Sequence, residues 1–93
     1  MKLSDAPGKI VTAATPQVGD YVVLPYVDRY GRPLTDESGA IMYRERYERV
    51  SGFGQAIITG PTGRPLFQNM IKVNGIEVPI DRDAPVYRAP RSA

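Results

Sequence analysis

Residues 55–80 read Gln-Ala-Ile-Ile-Thr, Gly-Pro-Thr-Gly, Arg-Pro-Leu-Phe-Gln-Asn-Met-Ile-Lys-Val, Asn-Gly, Ile-Glu-Val-Pro-Ile. Asn74-Gly75 sits between two apolar runs. Both central residues of a type I′ turn need positive φ, and Asn-Gly supplies them, so the pair predicts a two-residue hairpin loop. The loop sets the register: Val73 opposite Ile76, Lys72 opposite Glu77, Ile71 opposite Val78. Side chains alternate between faces. Phe67, Ile71 and Val73 therefore share one face with Ile76, Val78 and Ile80, and Lys72 meets Glu77 on the other. That opposite-charge pair is worth roughly a few tenths of a kcal/mol. A slip of one residue would bury the charges and expose the isoleucines. Pro79 lacks an N–H, which places the last strand at an edge or a bulge. Upstream, Gly60-Pro61-Thr62-Gly63 reads as a turn that returns residues 55–59 onto 66–73.

The chain has 93 residues, enough for one domain. A domain of this size buries about 60–65% of its unfolded surface, so its core is modest and self-association would help it. Cysteine and histidine are both absent. This excludes a disulfide scaffold and thiol catalysis and removes the usual zinc ligands. The net charge is +2, spread along the chain without a block of like charge. Such a distribution argues against a strongly electrostatic nucleic-acid binder. No apolar run approaches the roughly 20 residues of a membrane span. The first residues lack the apolar segment of a signal peptide. The expectation is a soluble, cytoplasmic protein with no membrane partner.

Residues 1–16 are expected as a flexible arm, with a short strand at 9–13 where Ile10 and Val11 stand. Residues 17–87 are expected as a single small β domain. Val18-Gly19-Asp20 opens an apolar strand at 21–27, in which Pro25 predicts an edge or bend. A Gly-Asp turn feeding an apolar strand resembles the opening of SH3-like small barrels. Residues 28–39 have loop composition and are long for a compact domain. Residues 40–51 have two readings. As a strand, Ile41, Tyr43 and Tyr47 share a face that Glu45 interrupts. As a helix, Tyr43, Tyr47 and Val50 form a stripe, with Glu45 and Arg49 as an i,i+4 pair. The hairpins on both sides favour the strand. Ser51-Gly-Phe-Gly would then turn into the next strand at Gln55. Val86 and Tyr87 are expected as a final edge strand, and residues 88–93 as a disordered tail.

Gly-Arg-Pro-Leu occurs at 31–34 and again at 63–66. The simplest reading is reuse of good turn chemistry. The functional reading is two arginine-tipped turns, Arg32 and Arg64, at one end of the domain. Gly52-Phe53-Gly54-Gln55-Ala56-Ile57 fails as a dinucleotide loop, because Ile57 stands where a third glycine or alanine belongs. Gly60-Pro61-Thr62-Gly63 lacks the Gly-Lys-Ser/Thr ending of a phosphate loop. Asp81 and Asp83 flank Arg82 in a loop-like context and make a poor acid/base pair. No catalytic residue, cofactor or metal is assigned.

Aromatic residues carry more information. Tyr21, Tyr43 and Phe67 are expected in the core. Tyr26, Tyr30, Tyr47 and Phe53 are candidates for exposure, with Phe53 in a glycine-flanked turn. Exposed rings beside arginines are the usual composition of a protein-contact hot spot. The fold expectation is mainly β: a small SH3-like barrel or curled antiparallel meander of about five strands. The alternative is α+β with one helix at 40–51. The function expectation is a non-enzymatic interaction module that binds another protein, or itself as a homo-oligomer. The partner-binding residues would be Tyr26, Tyr30, Arg32, Phe53 and Arg64. The alternatives are a nucleic-acid partner, through stacking and phosphate pairing, and a structural subunit of a virion. The size and tails suit an accessory protein of a phage or mobile element.

Overall fold

The computed structural model describes residues 8–91. The parts of the expected arm at 1–7 and of the expected tail at 92–93 lie outside the described residues. The fold is all-β, with six strands: β1 Lys9–Thr12, β2 Tyr21–Val23, β3 Glu48–Thr59, β4 Pro65–Val73, β5 Ile76–Pro79 and β6 Pro85–Arg88. They form one antiparallel sheet in the order β1-β6-β2-β3-β4-β5. The helix alternative at 40–51 is overturned, since the described residues contain no helix. The sheet does not close, because β1 and β5 remain its two edges. The barrel expectation gives way to the curled meander.

The meander expected at the C-terminal half is present in the register read from the turn. Val73 pairs Ile76, Lys72 pairs Glu77 and Ile71 pairs Val78. Asn74 and Gly75 have φ of 51° and 79°, as the turn type requires. Lys72 Nζ lies 3.9 Å from Glu77 Oε1, both in solvent. Pro79 ends the edge strand β5, where its missing N–H costs no ladder bond. Strand β3 is longer than expected. Ser51, Gly52, Phe53 and Gly54 run through it and do not turn. The register shifts between Val50 and Gly52, leaving Ser51 as a bulge.

The core is a cluster of Ala13, Val22, Leu24, Val50, Ile71, Val73, Ile80, Ala84 and Val86. Val11 of β1 and Val78 of β5 pack against this same cluster. Side chains from the two edge strands therefore converge, so the sheet curls around one face without its edges bonding. Tyr21 and Phe67, expected in the core, are exposed, and Tyr43 is half-buried with its ring edge-on to Tyr87. The aliphatic core excludes every aromatic ring from its fully buried set.

The loop expected at 28–39 is two hairpin turns. In the first, Asp28 N–H donates to Arg32 O and Gly31 N–H to Asp28 O. In the second, Asp36 N–H donates to Ala40 O and Gly39 N–H to Asp36 O. The Gly60 turn repeats the pattern, with Gly60 N–H to Arg64 O and Gly63 N–H to Gly60 O. Gly31, Gly39 and Gly63 have φ of 79°, 86° and 82°. This is the three-residue hairpin loop with a left-handed residue at its third position. The repeated Gly-Arg-Pro-Leu is thus shared turn chemistry. Each proline begins the return segment, paired as Val27 with Pro33 and Thr59 with Pro65.

The two extra turns close a small ring. Leu34 N–H donates to Tyr26 O at 2.8 Å, Met42 N–H to Leu34 O at 3.0 Å, and Tyr26 N–H to Met42 O at 2.8 Å. Residues 40–51 are accordingly no continuous strand. Ile41 and Tyr43 make isolated bridges, Glu45 turns the chain with φ 58°, and β3 begins at Glu48. At the other end, β6 is interior, between β1 and β2. Residues 88–91 stay attached. Ala89 N–H donates to Tyr21 O at 2.8 Å, and the Arg91 guanidinium grips both Asp20 carboxylate oxygens at 3.0 Å.

Candidate functional site

Register fixes the faces of the β3–β4 hairpin. Phe53 pairs Ile71, Gln55 pairs Asn69 and Ile57 pairs Phe67. These six residues share one face, and it is the face that carries Ile71 and Val73 into the core. The Ser51 bulge makes this so. Without the extra residue, Phe53 would fall on the face opposite Val50. The body covers the hairpin only as far as Ile71. Beyond it, Phe53 is 49%, Ile57 69% and Phe67 72% exposed. Both phenylalanines of the chain lie on this strip. Between them Gln55 Nε2 donates to Asn69 Oδ1 at 3.2 Å.

Two clefts flank the strip. One, of about 210 Å³, is lined by Phe53, Asn69, Met70, Ile80 and Arg82 together with Ala13 and Ala14. The other, of about 350 Å³, is lined by Phe67, Asn69, Tyr30, Arg32, Pro61 and Asp81. Of the five residues expected to bind a partner, Tyr30 and Arg32 therefore sit together beside Phe67. Arg64 is exposed on the turn whose Pro61 lines the same cleft. Phe53 is at the far end of the strip, on a strand and not in the expected turn. Tyr26 is elsewhere, in a cleft with Arg44 and Arg46. That cleft is a weak anion site. The buried Glu48 carboxylate holds the Arg44 Nε at 3.1 Å and the Arg46 Nε at 3.4 Å, neutralising one of the two positive charges.

Two guanidiniums approach the Tyr30 ring, Arg29 at 5.0 Å and Arg32 at 5.6 Å from its centroid. Arg32 also pairs with Asp28 at 3.4 Å. Partial burial would raise the Asp28 carboxyl. The N–H groups of Arg32 and Tyr30 and the Arg32 charge outweigh this and hold it below the ordinary carboxylate range. The turn is thus built by its own aspartate. Ile57 is the residue of the strip that the sequence reading did not single out. Its signal was present, since it lies opposite Phe67 once the Gly60 turn is given its loop length.

Asp81 Oδ1 accepts the Asp83 N–H in a long bond of 3.5 Å. Among the described residues no group of three or more Asp or Glu is placed to hold a metal ion.

Fold and surface define a small all-β protein with an open, curled six-stranded sheet and one hairpin whose inner face overruns its cover. In comparison with known proteins, the chain matches no protein-family model, no curated protein and no solved structure.

Proposed function

We propose that this protein is a non-enzymatic interaction module, binding protein through the uncovered half of the β3–β4 hairpin face. One observation carries the reading. A 93-residue chain places both of its phenylalanines on a single sheet face and leaves them in water with Ile57. Exposed apolar side chains gathered on one face favour association, because covering them removes apolar area from water. Arg32 and Arg64 frame the Phe67 end as a polar rim beside the half-buried Tyr30 ring.

The experiment compares the native chain with a Phe53→Ser/Phe67→Ser double variant as immobilised bait in lysate of the native host. The native chain recovers protein that the variant does not, with or without nuclease, and recovery changes little with salt. Equal recovery by both baits overturns the reading. The same aromatic strip with arginines beside it also suits a single-stranded nucleic acid. Recovery lost after nuclease, and falling steeply with salt, would move the assignment there.

A further inference from the structure

Resting on that reading, we infer that the occupant of the uncovered face is a second copy of this chain, docked face to face about a two-fold axis through the Gln55–Asn69 pair. The strip is self-complementary about that point. Phe53 lies on one side of the amide pair, and the Ile57–Phe67 pair lies on the other. A two-fold rotation sets Phe53 of each copy against Ile57 and Phe67 of its partner. Such an isologous interface closes at two subunits.

The amides at the axis carry both donors and acceptors, so the pair can bond its own symmetry mate. Charge follows the same exchange. Asp81 lines the cleft at the Phe67 end and Arg82 the cleft at the Phe53 end. The axis brings each Asp81 toward the partner's Arg82.

Area points the same way. Taking about 200 Å² for an aromatic side chain, the three exposures leave roughly 350–400 Å² of apolar side chain in water. Two copies would remove twice that, about half of a standard interface of ~1,600 Å². The amide pair and the rim arginines lie where the remainder is needed. The monomer's fully buried set is also small, with leucine and isoleucine its largest members. Pairing would give both phenylalanines a buried environment.

Sedimentation equilibrium of the full chain tests this, over a range of concentrations. The expected species is twice the 10.2 kDa monomer. Phe67→Asp and Ile57→Asp should each weaken the dimer by about 100-fold or more, with the circular dichroism of the monomer unchanged. Asp81→Arg should weaken it, and Asp81→Arg/Arg82→Asp should restore it. The chain has no cysteine, and packed sheets stand about 10 Å apart, so Gln55→Cys should be joined into a dimer by a short bis-maleimide, while Glu37→Cys on the exposed second turn should not. A native chain that stays monomeric throughout overturns the second copy. If the Phe53→Ser/Phe67→Ser bait nonetheless loses host protein, the interaction reading stands without it. A dimer that Phe67→Asp leaves intact, with host recovery unaltered in the double variant, removes both.

Discussion

Gly31, Gly39 and Gly63 occupy the same place in three turns, yet a side chain would meet different surroundings at each. A Cβ on Gly31 would stand 2.7 Å from the backbone of Ile80 and Asp81, while nothing lies within 4 Å at Gly39 or Gly63. Gly39→Ala and Gly63→Ala should each cost about 1 kcal/mol, the price of a left-handed L-residue. Gly31→Ala adds a backbone collision and should cost about 3 kcal/mol or more. Urea denaturation of the three variants checks the ranking. Glu45, at φ 58°, offers the reverse case. Glu45→Gly should stabilise by about 0.5–1 kcal/mol in the same assay. Asp20 gives a dependence on pH. The hydrogen-bonded Arg91 guanidinium and the Gln17 N–H lower its carboxyl from 3.8 to about 2. A depressed folded pKa contributes stability that is complete above the unfolded value and is lost as pH falls through the folded one. The native Tm should therefore drop between pH 4 and pH 2, and Arg91→Ala should flatten that drop. At neutral pH the same variant should lower Tm by on the order of 5 °C. Lys72→Ala, which removes an exposed pair, should change it by no more than about 1 °C.

The β3–β4 hairpin shows how far an element can be read from its residues. Gly60-Pro61-Thr62-Gly63 marks the return of residues 55–59 onto the next strand, while the register there, Thr59 with Pro65, comes from the five-residue turn. Asn74-Gly75 defines a loop whose length sets the pairing of residues 71–78, and that pairing is the observed one. The face assignment of Phe67 with Ile71 and Val73 follows from it. What alternation could not reveal is where the cover ends. Nor could it reveal the Ser51 bulge, which changes the phase of β3 and brings Phe53 onto the core-facing side. Thermodynamics should separate two residues that share that face. Ile71→Ala, fully buried, should cost about 2–5 kcal/mol. Phe67→Ala should cost less than about 1 kcal/mol at concentrations where the chain is monomeric. Chemical denaturation of the pair checks it, and equal large losses would mean Phe67 is packed after all. The turns at 28–31 and 36–39 were legible in part. Asp-x-x-Gly occurs in both, eight residues apart, and in each the aspartate side chain accepts the backbone N–H groups of its own turn. The closed ring of Tyr26, Leu34 and Met42 needed coordinates, since three single bridges leave no run of alternating residues.

For the whole molecule, strand order matters more than strand count. Val86 and Tyr87 read as a final edge strand, but β6 lies between β1 and β2. The consequence should appear in amide hydrogen exchange. Ladder amides of β6 should exchange as slowly as those of β2, and the outer half of the β3–β4 hairpin should exchange faster in the monomer. Faster exchange in β6 than in that hairpin tip would contradict the topology. Sequence alone determined the β class, the two C-terminal loops, the register across Asn74-Gly75 and the confinement of Pro79 to an edge or a bulge. Those features depend on φ preferences, missing donors and alternation, which act within a few residues. Only the tertiary structure decided that the sheet stays open, that β1 and β6 join it at one side, that Arg91 is tied to Asp20, and that Phe53, Ile57 and Phe67 stand in water. These depend on how far a small aliphatic core can reach, and that distance is set by residues remote in the chain.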